Sequence, residues 1–347
     1  MIIRFAIDPS VLTYGKYSAD SYERLIHDWL DQRIGVLVNV HGDDGGAIEM
    51  AIQRIKDQAA SKLWKETYRE ADTDGLIVRL MAANEDVSEY SRDLIEKMAG
   101  QIDVLVINPG AEKQYGGNII NQRPGSTILQ YPNTQIELVT ADRFDQSDSV
   151  RRVENLRTIG DIPEATPIQE IWEDHYMTMF MVSKEIFIVD RYALSELSKG
   201  GLGRFIEMAK AHIRGGKPKE KQVVIYTQQP LTNENRQPYP NQAAAVKAAV
   251  DKVKEWLSDH DAQPNPFGKI NIYFVPPRGF ARNYQDRYIR FGKIGSVGGG
   301  HGLAHFEGAQ YKTDIARGIS WKRGAKESLV VESQLTAIAS PSHPLEL

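Results

Sequence analysis

Four short apolar runs, IIRFAID, GVLVNVHG, GLIVRLM and IDVLVINPG, punctuate residues 1–110. Segments with helical spacing separate them. SADSYERLIHDWLDQ places Tyr22, Leu25, Ile26, Trp29 and Leu30 on one face, with Ser18 and Asp20 as candidate caps. AIEMAIQRIKDQAASKLWKETYREA reads as one long helix, and SEYSRDLIEKMAG as a third that Gly100 closes. Apolar strands that alternate with helices cannot pair as hairpins. They require a mainly parallel sheet with helices on both faces.

Residues 110–165 lose this rhythm. AEKQYGGNIINQRPGS is a polar loop, STILQYPNTQIELVTADRF adds short strands, and SVRRVENLRTIGDIPEATP is a helix running into a linker with two prolines. A domain boundary is expected near 165. Beyond it the order is helix (IQEIWEDHYMTMFMVS), strand (KEIFIVDRYAL), helix (GGLGRFIEMAKAHIRGG), strand (KQVVIYTQQ), helix (NQAAAVKAAVDKVKEWLSDHD), strand (KINIYFVPP) and a strand pair. The expected architecture is two α/β domains: a Rossmann-like, mainly parallel sheet over 1–165 and a second α/β sheet over 166–335. Residues 336–347, ending SPSHPLEL, are expected as a flexible tail.

Composition removes several classes of function. The chain has no cysteine, so thiolate nucleophiles, disulfides and cysteine-bound metals are excluded. Its net charge of −4 announces no global attraction to nucleic acid, so any basic surface is local. The N-terminus, MIIRFAIDPS, has no signal-peptide pattern, and no segment reaches the roughly 20 apolar residues of a membrane span. The expectation is a cytoplasmic protein without a membrane partner.

The stretch NYQDRYIRFGKIGSVGGGHGL carries the strongest chemical signal. Tyr288, Ile289 and Phe291 form a strand, Gly292-Lys293 turns it, and Gly298, Gly299, Gly300 and His301 follow in a loop whose N–H groups can approach an anion. Upstream, Asp190, Arg191 and Tyr192 follow an apolar strand as Asp286, Arg287 and Tyr288 follow theirs.

This stretch resembles the phospholipase D-like superfamily, over roughly residues 170–335. Active members carry His-x-Lys on such a strand, with a Gly- or Ser-rich segment after it; this chain has Gln285-Asp286-Arg287-Tyr288-Ile289, then Gly295-Ser296 and the glycines. The resemblance implies a phospholipase D-like C-terminal sheet. In that family the histidine attacks phosphorus and the lysine neutralises the phosphoryl oxygens. Gln285 stands at the histidine position and cannot attack. Arg287 stands at the lysine position and can still hold phosphate. The implied phosphate-binding set is Gln285, Arg287, Arg191, Tyr192, Gly298, Gly299, Gly300 and His301, with no cofactor. The implied role is a non-catalytic binder of phosphodiester, nucleic acid or a protein partner, working as a homo-oligomer or accessory subunit in a microbial defence or DNA-processing assembly. An exposed, ion-paired Arg287 is the plainer reading of the same residue.

Two other readings stay open. His301 and His305, with Glu307 beyond, have metal-ligand residue types, but the flanking glycines argue against a helical pair. In the first half, Asp8 ends a strand and Asp142 and Asp145 follow another. This is a loose similarity to PIN-like nucleases, in which such acids hold Mg²⁺ or Mn²⁺. Caps and turns use acids in the same places. VHGDDGG, with Asp43 and Asp44, lacks a phosphate-loop pattern, and GGLGR is a helix start. RGGKPKEKQ is a basic loop that can touch phosphate, and EIWEDHYMTMFMV is a core or subunit-interface helix.

Overall fold

A computed structural model describes the chain except at residues 16, 112–114, 116–117, 120–128, 195–199, 213–220, 233–236, 260–266, 284–286, 309–310, 314, 342 and 347. It is an α/β protein of two compact units, Met1–Thr158 and Ile159–Leu347. The first unit thus ends a few residues before the expected junction.

The strands of the first unit are β1 (Ile3–Ile7), β2 (Gly35–Gly42), β3 (Gly45–Gly46), β4 (Ile77–Met81), β5 (Val104–Val106), β6 (Asn118–Ile119), β7 (Leu129–Gln130) and β8 (Glu137–Val139). Five of them pair in parallel in the order β4-β2-β1-β5-β8. Short antiparallel strands finish the sheet: β3 on β2, and β7 then β6 beyond β8. Phe5, Ala6, Ile7, Val104, Leu105 and Val106 are fully buried, as central strands covered on both faces must be. The chain runs from β1 to β2 on one side, and β5 later joins β1 on the other. The C-terminal end of β1 therefore lies at a reversal of strand order, and Asp8 is the first residue past it.

The helices are α1 (Pro9–Thr13), α2 (Asp20–Ile26), α3 (Ala47–Arg54), α4 (Gln58–Thr73), α5 (Arg92–Met98) and α6 (Asp148–Thr158). The single long helix expected after β2 is two helices. Asp57 takes extended backbone and accepts from the Ala60 N–H at 2.7 Å, starting α4 afresh. A π-helical turn, His27–Asp31, prolongs α2 and brings Trp29 into the core against Phe5 and Trp64.

The second unit has a seven-stranded sheet. Its strands are β10 (Glu185–Val189), β11 (Lys221–Gln228), β12 (Phe267–Val275), β13 (Tyr288–Phe291), β14 (Gly295–Gly298), β16 (Ser320–Arg323) and β17 (His343–Glu346). A separate pair joins β9 (Asp161–Ile162) to β15 (Arg317–Gly318). The sheet order is β16-β14-β13-β10-β11-β12-β17, with β10, β11 and β12 parallel and all other pairs antiparallel. The expected hairpin forms: Gly292 turns at φ +49 and β13 pairs with β14. Helices α7 (Ile168–Ile171), α8 (Met177–Val182), α9 (Gly201–His212), α10 (Gln242–Asp259), α11 (Pro277–Asn283) and α12 (Lys326–Ile338) complete it.

Between α7 and α8 a π-helical turn, Trp172–Tyr176, points both aromatic rings inward. Trp172, Tyr176, Met179 and Phe180 are fully buried, and Tyr176 packs 4.9 Å from Phe306. Most of this aromatic and methionine-rich face is therefore spent on the unit's own core; Met181 remains exposed. The expected tail is not loose: residues 326–338 are α12, and β17 pairs antiparallel along β12. The edge of β12 needs a partner for its N–H and C=O groups, and this segment supplies it.

Candidate functional site

Asp190, Arg191, Tyr192, Arg287 and the glycine loop converge at one end of β10. Val189 pairs with Tyr288 across the antiparallel β10–β13 ladder. Asp190, one past β10, therefore lies beside Arg287, one before β13. Asp190 is 2% exposed. Its Oδ1 accepts the Tyr192 N–H and its Oδ2 the Leu303 N–H, both at 2.9 Å. Arg287 Nη1 stands 3.8 Å from Oδ1. Burial still wins: the carboxyl is pushed up to about 6, although both N–H groups and Arg287 favour its charged form.

Arg287 is aimed by its Nε, which donates to the Gly300 carbonyl at 2.7 Å. Arg191 is aimed the same way, by Nε to Gln228 Oε1 at 2.5 Å. Their guanidinium carbons lie 5.7 Å and 5.5 Å from the centroid of the Tyr192 ring, which is 52% exposed. Two cations thus lie close to one solvent-facing aromatic. Among the described residues, neither terminal nitrogen of Arg191 has a hydrogen-bond acceptor.

The glycine run carries a packing role that the sequence reading did not assign to it. A Cβ on Gly302, where φ is +51, would fall 2.8 Å from both Arg287 Cβ and Asp190 Oδ2. One on Gly299, φ +108, would fall 2.6 Å from the Gly318 carbonyl. Glycine is what lets this loop lie directly on β13, Asp190 and β15. Gly298 ends β14, and Gly300 supplies the carbonyl that holds Arg287.

The two histidines part company. His305 is fully buried. Its Nε2 lies 2.9 Å from the Gly318 carbonyl, which can only accept, so Nε2 carries the proton. Nδ1 then accepts from the Tyr176 hydroxyl at 2.6 Å. Burial drives its pKa to about 4. Both nitrogens are occupied, which removes His305 as a metal ligand or nucleophile and corrects the metal-pair reading. His301 is half-buried, and burial, Arg287 and Arg317 lower its pKa. Gln285 and Asp286 lie outside the described residues.

In the first unit the three acids do not make a metal centre. Asp8 is fully buried and caps α1. It accepts from Ser10 N at 2.9 Å, Ser10 Oγ at 2.5 Å, Tyr90 N at 3.2 Å and Tyr115 Oη at 2.6 Å. Asp145 pairs with Arg24 at 3.1 Å, and Asp142 is exposed. Among the described residues no three His, Asp or Glu side chains are grouped to hold a metal ion. A carboxylate that accepts four protein hydrogen bonds has little left for a cation. Asp43 and Asp44 are exposed turn residues.

Of the basic loop RGGKPKEKQ, residues 214–220 lie outside the described residues. Lys221 is 3% exposed, with Nζ donating to the Phe180 and Ser183 carbonyls at 2.7 Å and to that of Met181 at 3.2 Å, so it is not a surface charge. GGLGR starts α9 as expected, and Arg204 Nη1 reaches the Phe306 carbonyl at 3.2 Å.

Sequence reasoning missed two features. One is a partly buried network in the first unit, where Asn39 donates to Glu49 and, at 2.8 Å, to Tyr68 Oη, while the Tyr68 hydroxyl donates to Glu49 at 2.5 Å. The other is Arg317, 8% exposed, close enough to His301 to lower its pKa. Neither carries a local motif. Among the described residues no helix is long and apolar enough to cross a membrane. No protein-family model matches the chain, and no curated protein matches it at significance.

Proposed function

We propose that the second unit is a phospholipase D-like domain that binds a phosphodiester backbone, as nucleic acid, without cleaving it. The observation that carries this reading is the placement of Arg191 and Arg287 close to the exposed Tyr192 ring. Guanidinium groups hold phosphate oxygens, and an exposed aromatic gives a base a surface to stack on. A role without cleavage is supported by Gln285 at the position where the resemblance puts the nucleophile, and by His305, both of whose ring nitrogens are engaged. The first unit is read as Rossmann-like on its parallel order β4-β2-β1-β5-β8. By resemblance, the whole is a non-cleaving subunit of a microbial defence or DNA-processing assembly.

The test is a mobility shift and cleavage assay with labelled single- and double-stranded DNA and RNA, in EDTA, Mg²⁺ and Mn²⁺. The expected result is salt-sensitive binding without cleavage. For single strands, removing one arginine–phosphate pair should flatten the slope of log K against log salt by about 0.7. The double variant Arg191→Ala, Arg287→Ala should flatten it by one to two such steps. Metal-dependent cleavage that Asp8→Ala abolishes would return the function to the first unit.

A further inference from the structure

Arg317 sits in β15, paired with Ile162 of β9, and is 8% exposed. Its Nε is buried and has no acceptor among the described residues. Its Nη2 lies 3.9 Å from Glu307 Oε2, beyond hydrogen-bond length. Arg290 of the same unit shows how a buried guanidinium is ordinarily satisfied. Its side chain is 2% exposed and gives Nε to Glu332 Oε1 at 2.7 Å, Nη2 to Glu332 Oε2, and Nη1 to the Gly292 carbonyl. A buried guanidinium whose Nε has no acceptor carries a desolvation cost that the 3.9 Å pairing with Glu307 offsets only in part. Among the described buried polar atoms left without an acceptor, Arg317 Nε is the cationic one.

Its surroundings are those of the site above. The glycine loop is held by Arg287 at Gly300 and lies against β15 where Gly299 meets the Gly318 carbonyl. His301, on that loop, lies in the field of both Arg287 and Arg317. The acids nearby are poorly placed to neutralise Arg317. Asp190 is held by two N–H groups, Glu307 is too far to hydrogen-bond, and Asp161 is exposed.

We propose that Arg317, Arg287 and His301 form a pocket for a phosphate monoester, presented as the end of a nucleic-acid strand. The proposal rests on the phosphodiester-binding reading and narrows it. Two guanidiniums and an imidazole suit a dianion better than the single charge of an internal diester. The burial of Arg317 admits a compact end group, whereas the middle of a strand stays at the level of Tyr192. Glu307 gives up its loose pairing when the phosphate enters.

The full chain is titrated with fluorescent oligonucleotides of one sequence carrying a 5′-phosphate, a 3′-phosphate or only hydroxyl ends. In parallel, thermal unfolding is followed with inorganic phosphate and with a small phosphate monoester. One phosphorylated end should bind about tenfold tighter than the hydroxyl form, a step typical of one strong charge-assisted hydrogen bond. Arg317→Gln should erase that preference, so that the phosphorylated and hydroxyl forms bind alike. Arg317→Lys and His301→Gln should reduce it in part, and stand in if Arg317→Gln does not fold. Equal binding of all three oligonucleotides overturns the pocket but leaves the diester reading intact. No oligonucleotide binding, with stabilisation by the small phosphates that Arg317→Gln or Arg317→Lys weakens, upholds the pocket and overturns the nucleic-acid reading. No response to any of these ligands overturns both.

Discussion

His305 is held neutral between a tyrosine hydroxyl and a backbone carbonyl, with its pKa driven down to about 4. The unfolded chain takes up that proton near 6.5. Between the two values the unfolded state binds more protons, so stability from His305 is lost as pH falls through that window, on the order of 3 kcal/mol in all. Chemical denaturation from pH 4 to 8 should show wild type gaining on His305→Gln up to about 6.5 and a constant difference above it; a pH-independent difference would mean that the imidazole is not held neutral. Asp190 has the opposite sign. Its carboxyl, raised from 3.8 to about 6, favours the folded state most at low pH, and that contribution falls as pH rises through 6. Asp190→Asn puts an amide N–H against one of two backbone N–H groups and should cost about 1–3 kcal/mol. Its disadvantage against wild type should shrink as pH rises from 4 to 6, read from the same denaturation series. The repeated Asp-Arg-Tyr was visible in the sequence, but not that Asp190 would face the arginine of the other copy. That pairing is set by the β10–β13 register. Arg317 was invisible for a related reason: a two-residue strand has no periodicity, and a buried Nε without an acceptor is a property of the fold.

At the scale of elements, the loop after β14 sets the site. Gly300 and Gly302 both have positive φ, +81 and +51, but a Cβ on Gly300 meets open space while one on Gly302 strikes Arg287 and Asp190. Gly300→Ala should therefore cost only backbone strain, about 1 kcal/mol, whereas Gly302→Ala should cost about 2 kcal/mol more and weaken nucleic-acid binding as Arg287 shifts. Urea unfolding of the two variants checks this, and equal losses would show that the loop is not pressed on Arg287. Most strands were legible because buried strands read as apolar runs. The glycine run was legible too, although its anion-cradle reading omitted the packing that makes glycine necessary. The break between α3 and α4 had a signal in Asp57, a good N-cap, that the strong helical pattern on both sides masked. The π turns had none. Strand β17 was misread because Pro344 suits a loop; it equally suits an edge strand.

At the scale of the molecule, alternation of strands and helices gave two α/β halves, and the chain does form two compact units, each with its own buried cluster. A piece spanning 159–347 should keep oligonucleotide affinity within a few-fold of the whole chain, and 1–158 should show none; binding confined to 1–158 would move the function to the first unit. The second unit also carries its own reporter. The Lys221 ammonium is wrapped by three main-chain carbonyls where α8 runs into β10, and it faces the Phe180 ring at 4.8 Å. An amine-acylating reagent can reach it only when that junction comes apart. Its labelling rate, followed by mass spectrometry beside an exposed amine such as Lys293, therefore measures how often the unit opens in the native state, and ligand capture at the far end of β10 should slow that clock.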